Sequence, residues 1–98
     1  MTNEFRIRLL LAMQSVLLGY VSANIRAVSC AVEGEDITVQ VVFDGPIADS
    51  DQDAMNEVGS ELASHFEHGL VDMQCIRIDV PQPFRDSSLE LRVYQRKE

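Results

Sequence analysis

Apolar positions at the start of the chain recur at the spacing of an α-helix. Phe5, Leu9, Ala12 and Val16 fall on one side of such a helix, and polar residues at positions 2 and 3 suit its cap. Gly19 predicts its end. The segment also resembles a secretory signal peptide, with basic residues before an apolar run and small residues after it. An acid at position 4 and polar residues at 14 and 15 favour a core helix, and the run is too short to span a membrane.

The pattern changes from helical to alternating after residue 19. Residues 25–32 are rich in β-branched and small side chains and end at the polar turn "EGED". In the next segment Ile37, Val39, Val41 and Phe43 alternate with mostly polar residues, which is the clearest strand pattern in the chain. The two segments together predict a β-hairpin.

The second half of the chain repeats the order of a helix followed by two strands. Met55, Val58 and Leu62 share one helical face and predict a helix over residues 51–66, with Ser50 and Asp53 as a capping box. "MQCIRIDV", residues 73–80, predicts a third strand that the following prolines stop. "LELRVYQ", residues 89–95, alternates as a fourth strand.

These elements predict a single α+β domain over residues 1–98, in the order αββαββ. The length of 98 residues suits one core, and 46% apolar with 24% charged residues is an ordinary globular composition. Each strand has one strongly apolar face. We therefore expect a four-stranded, mainly antiparallel sheet with both helices packed on one face.

Charge is distributed unevenly along the chain. The net charge is −8, and eleven Asp and Glu but no Lys or Arg lie between Arg26 and Arg77. All eight basic residues are therefore at or outside those two positions. This distribution argues against nucleic acid or an anionic membrane as a ligand, because both require clustered basic residues. It favours a cationic partner, which a polarised field would attract.

The predicted second helix concentrates part of this charge on one ridge. Asp53, Glu57 and Glu61 are spaced i, i+4 and i+8, opposite the apolar face. Each like-charge pair costs roughly 0.2–0.5 kcal/mol of helix stability. Acids at the start of the helix, Asp49 and Asp51 among them, also complement the helix dipole. The ridge is thus either a solvated face kept for solubility or a partner-binding face.

Candidate catalytic and metal-binding residues are few. The chain has no nucleophile motif and no glycine-rich phosphate loop. Glu61, His65 and His68 are helically spaced, but two histidines with one acid are too few for a typical zinc site. Cys30 and Cys75 are expected to be reduced, buried thiols, with a disulfide open if their strands pair. We therefore predict no enzyme activity, no cofactor and no metal.

Three segments resemble small immunity proteins of bacterial polymorphic toxin systems, including contact-dependent growth inhibition systems. They are "RAVSCAVEGEDITVQVVFDGPIADSDQDAMNEVGSELASHF", "CIRIDVPQPF" and "VYQRKE", which lie within residues 26–98. The "FDG" after the second strand, the acidic opening of the second helix and the "VPQP" of residues 80–83 carry the resemblance.

The resemblance implies a cytoplasmic protein that binds a cognate toxin domain and blocks its active site. Many such toxins are nucleases, which are basic because they hold phosphates. An acidic inhibitor would suit such a toxin. Charge and helical geometry then assign the partner-binding residues. They are Asp49, Asp51, Asp53, Glu57 and Glu61 of the helix, with Glu33, Glu35 and Asp36 of the hairpin turn as a second patch.

Apolar contacts would have to accompany these charges in a stable complex, and Tyr20, Phe84 and Tyr94 are the candidates. An alternative function is a self-associating structural or adaptor domain without catalytic activity. In that interpretation the uncovered sheet face, with Val42, Cys30 or Tyr94, pairs with a second copy to form a homodimer.

Overall fold

The computed structural model, which describes residues 2–98, contains the two helices and four strands in the predicted order. A short 3-10 helix, Arg85–Ser87, precedes the last strand. The α+β class and the element order are therefore confirmed. The elements are α1 (Asn3–Leu17), β1 (Ile25–Glu33), β2 (Asp36–Phe43), α2 (Asp49–Ser64), β3 (Val71–Arg77) and β4 (Leu91–Gln95).

The four strands form one mixed sheet in the order β3-β2-β1-β4. β1 pairs antiparallel with β2 and with β4, so the sheet is mainly antiparallel as predicted. β2 and β3 are parallel, because α2 carries the chain back along the sheet between them. β3 begins and ends earlier than predicted, and β4 begins later.

Both helices pack on the same face of the sheet, as predicted. Leu9 and Met13 of α1 meet Met55, Val58 and Leu62 of α2 in the main core, and all five are almost completely buried. Apolar residues of the strands complete this core. They are Val28 and Cys30 of β1 and the four alternating residues of β2, Ile37, Val39, Val41 and Phe43. The helical periodicity of residues 5–16 is thus explained by burial.

The opposite face of the sheet is partly covered by the segment after β3. Phe84 packs on Ala27 and Val42 there, and all three are buried. Cys30 is buried on the helix side. The predicted exposure of Val42 and Cys30 for self-association is therefore wrong, because both side chains are buried, whereas Tyr94 is half-buried against the main core.

The helix starts are capped in different ways. Thr2 Oγ1 accepts a hydrogen bond from the Phe5 amide at 3.1 Å and caps α1. The predicted capping box of Ser50 and Asp53 is wrong, because α2 begins earlier, with Ala48 at the cap position. The alanine has no side-chain acceptor, so the start of α2 relies on the Asp51 carboxylate, which accepts from the Ala48 amide at 3.0 Å.

The two cysteines are free. β2 lies between their strands, so the disulfide that sequence left open is not formed. Burial raises the pKa of the Cys30 thiol to about 11 and also raises the pKa of Cys75. Both side chains therefore stay protonated at neutral pH.

Candidate acidic partner-binding surface

Three carboxylates form a ridge along the outer face of α2, and we call Asp53, Glu57 and Glu61 the acidic ridge. All three residues are exposed, whereas Met55, Val58 and Leu62 on the opposite face are buried. Successive members are separated by ~6 Å along the helix axis. Within residues 2–98 none of them forms a salt bridge with a basic side chain. The three carboxylates therefore face solvent.

The middle carboxylate of the acidic ridge is held by a tyrosine. Tyr20, in the connection between α1 and β1, donates its hydroxyl to Glu57 Oε2 at 2.9 Å. The hydrogen bond and the negative charge of Glu57 raise the pKa of Tyr20. Tyr20 is half-buried and thus fixes one carboxylate of the ridge while leaving its neighbours free.

The two acids at the start of α2 differ in their roles. Asp51 is partly buried and accepts hydrogen bonds from the Ala48 amide and from Asn24 Nδ2, the latter at 3.2 Å. Asp49 is exposed beside it. Asp51 therefore has a structural role in capping the helix. This role was not predicted from the sequence, because Ser50 was expected to be the cap residue.

The three acids of the hairpin turn lie at the other end of α2. Asp36 Oδ1 accepts from the Leu70 amide at 2.9 Å, in the connection after α2. Glu35 lines a surface depression of about 350 Å³ together with Arg8, Glu67 and His68. A helix of 16 residues is ~24 Å long. The predicted residues thus form two groups, five on α2 and Glu33, Glu35 and Asp36 beyond its end.

Basic side chains from the two ends of the chain neutralise other acids. Arg96 lies 3.3 Å from Asp44, and Arg77 lies 3.0 Å from Asp79. At the end of α2, Arg8 donates to the His65 carbonyl oxygen and stacks on Phe66 with 4.8 Å between the guanidinium carbon and the ring centre. The positive charge of Arg8 therefore partly offsets the negative charge near the hairpin turn, whereas the negative charge of the acidic ridge is not offset in this way.

The predicted apolar contacts are only partly at the surface. Phe84 is buried beneath the Arg26 guanidinium, at 4.8 Å from the guanidinium carbon to the ring centre, so it is not a contact residue. Tyr20 and Tyr94 are half-buried. Tyr20 lines a depression of about 350 Å³ that also contains Asp51 and Ala54 of α2. Sequence reasoning missed this depression because its walls come from three separate elements.

Two further properties bear on function. Within residues 2–98 the structure brings together no group of three His, Cys, Asp or Glu side chains able to hold a metal ion. His65 ends α2 and His68 lies beside Glu67, so the helical spacing of the histidines produces no common site. Across the same described residues, every helix is too short or too polar to traverse a lipid bilayer.

Comparison with known proteins assigns the family. Curated protein sequences give no match to this chain. A family model described as MafI2 immunity protein matches residues 6–98, which include most of α1, the whole sheet and the acidic ridge. Since the match extends over nearly the full length, the chain belongs to the MafI2 immunity protein family.

Proposed function

We propose that this protein inhibits a cognate basic toxin domain with nuclease activity, and that the acidic ridge covers the toxin's active site. Membership of an immunity family supports a toxin as the partner. The nuclease assignment is supported by charge, since a nuclease active site presents Lys and Arg to phosphates. An acidic surface would occupy that site in place of the nucleic acid backbone.

The exposed and unpaired state of Asp53, Glu57 and Glu61 carries this proposal. Two like-charge pairs on one helix cost stability, and no salt bridge to a basic side chain of residues 2–98 offsets them. Asp49 at the start of α2 extends the ridge. Glu33, Glu35 and Asp36 of the hairpin turn form a secondary contact, because Arg8 shares a surface depression with Glu35. The inhibitor acts in the cytoplasm as a stoichiometric binder, without enzyme activity, cofactor, nucleic acid or membrane.

Charge reversal on the ridge tests the proposal. The variant Asp53→Lys with Glu61→Lys spares Glu57, whose carboxylate holds Tyr20. The side chains of both substituted residues are exposed and make no hydrogen bond within residues 2–98, so the fold should be kept. The association rate with the cognate basic toxin domain should fall by at least about 10-fold at low salt, because electrostatic steering is weakened.

The matched control is Asp86→Lys with Glu90→Lys. Both residues are exposed in the segment before β4, away from α2, and the substitution changes the net charge by the same amount. Its association rate should fall much less than that of the ridge variant. Equal rates for the two variants in stopped-flow or surface plasmon resonance measurements would show that net charge alone, and not the acidic ridge, attracts the toxin.

A further inference from the structure

A second surface of different chemistry lies on the outward side of α1. Ile7, Leu11 and Leu18 are 58%, 61% and 77% exposed. At 100° per residue they fall within about 40° of one another, directly opposite buried Leu9 and Val16. We call the three exposed residues the α1 stripe. A helix that is apolar on both sides is normally buried on both sides.

Two residues of the α1 stripe, Leu11 and Leu18, lie in the part of the chain that carries no charge, whereas Ile7 lies between Arg6 and Arg8. Residues 9–25 contain no Asp, Glu, Lys or Arg, although charged residues make up 24% of the whole chain. Depletion of charged residues distinguishes the core of a protein interface from the rest of a protein surface. The stripe therefore resembles an interface core more closely than a solvated helix face.

A groove continues the α1 stripe towards the sheet edge. It has a volume of about 360 Å³ and is lined by Gln14, Leu17, Leu18 and Val21 together with Val93 and Tyr94 of β4. β4 is an edge strand, with β1 as its neighbour in the sheet. Leu18 belongs to both the groove and the stripe, and Val21 beside it in the groove is 37% exposed. The stripe and the groove thus form one continuous apolar surface.

We propose that a second copy of this chain docks on the α1 stripe and its groove. Each copy carries a net charge of −8, so two copies repel wherever acids face each other. A two-fold interface places the same patch on both partners and therefore requires a patch without like charges. The α1 stripe meets that requirement. It carries none of the acidic groups that are proposed to attract a basic toxin, whose partner surface is the acidic ridge.

The area of this surface agrees with a dimer. The stripe and Val21 expose roughly 450 Å² if a large aliphatic residue in an extended chain exposes about 200 Å². Two such patches would bury roughly 900 Å² in total, which is the size of a weak, reversible interface, since stable interfaces bury about 1,600 Å². This interface replaces the one expected from Val42 and Cys30, which are buried.

Mass measurement on the intact chain tests the dimer. Sedimentation equilibrium over about 5–500 µM protein should show the average mass rising with concentration from the chain mass of 11.0 kDa towards twice that value. The variant Leu11→Lys with Leu18→Lys should raise the dissociation constant at least about 100-fold, because it places ammonium groups at the centre of the interface. Both positions are exposed in the single chain, so circular dichroism should show an unchanged fold.

The control is Leu70→Lys, because Leu70 is 75% exposed but lies in the connection between α2 and β3. This variant should dimerise as the wild-type protein does. A wild-type protein that stays monomeric at the highest concentration would overturn the proposal. So would a dimer that the stripe variant leaves intact, or one that Leu70→Lys disrupts equally. A monomer whose stripe variant loses affinity for the toxin would also overturn it, and would assign the stripe to the toxin.

Discussion

Replacement of Arg26 by Met should destabilise the fold more than any surface substitution. Arg26 is 2% exposed and comes from an irregularity at the start of β1. Its Nε and Nη2 atoms donate to the two carboxylate oxygens of Glu98 at 2.8 and 2.7 Å. Its Nη1 donates to the carbonyl oxygens of Ile78 and Gln82 at 2.7 and 2.8 Å. One side chain thus joins β1, the segment after β3 and residue 98.

The size of the effect follows from these partners. Met keeps the apolar stem on Phe84 but leaves two part-buried carbonyl oxygens without their donor, and each costs about 1–2 kcal/mol, in the lower part of the range for an unpaired buried group. Loss of the Arg26 hydrogen bonds to Glu98 adds to this cost, although Glu98 keeps its pairing with Arg96 at 3.0 Å. We therefore expect a loss of about 2–4 kcal/mol in the free energy of unfolding, which is a large fraction of the 5–15 kcal/mol typical of a domain. The midpoint of thermal unfolding should fall by about 10–20 °C.

Urea denaturation followed by circular dichroism at neutral pH measures this loss. Arg92→Met is the matched control, because Arg92 is exposed on the neighbouring strand β4 and forms no salt bridge within residues 2–98. It should change the free energy of unfolding by less than about 0.5 kcal/mol. If Arg26→Met also stays within that range, the segment after β3 is held by Phe84 alone and the account of the Arg26 hydrogen bonds is refuted.

Two further predictions concern pH and a glycine. The pKa of Glu98 is lowered from 4.5 to about 2, chiefly by its hydrogen bonds with Arg26, so its stabilising effect is complete above pH 4.5 and is lost as the pH falls towards 2. The urea midpoints of wild type and Glu98→Gln should therefore converge on acidification, and a constant difference would contradict this. Gly69→Ala should cost about 2–4 kcal/mol in urea denaturation, because φ is +87° and the new Cβ would lie 1.9 Å from the Glu35 carbonyl oxygen. Gly45→Ala, with φ +86° but open space around it, should lose only about 1 kcal/mol, and equal losses would remove the steric explanation.

The hydrophobic pattern was enough to predict the elements and the main core. The helical spacing of Leu9 and Val16 and the alternation of Ile37 to Phe43 reflect which side of each element avoids water. That requirement is local, so it can be read from neighbouring positions. The exposed acids of α2 were predictable for the same reason, because a ridge opposite a buried face must face solvent.

The pairing of side chains from distant parts of the chain could not be predicted in this way. Asp51 was expected to face a partner but caps α2, and Asp44 meets Arg96, so the acidic segment is less uniform than its composition suggests. Phe84 was a candidate contact residue and is buried by Arg26. Each of these outcomes depends on which polar partner lies nearest after folding.

The sequence by itself therefore determined the order of helices and strands, the inward face of each and the excess of negative charge. Only the tertiary structure decided the parallel pairing of β2 with β3, the partners of Arg26, and the exposure of the α1 stripe on a helix that was predicted to be part of the core. The physical reason is one of range. The periodicity of apolar residues depends on which side of each helix or strand faces the core, and this can be read from neighbouring positions. Strand pairing and ion pairing depend on contacts between residues far apart in the chain.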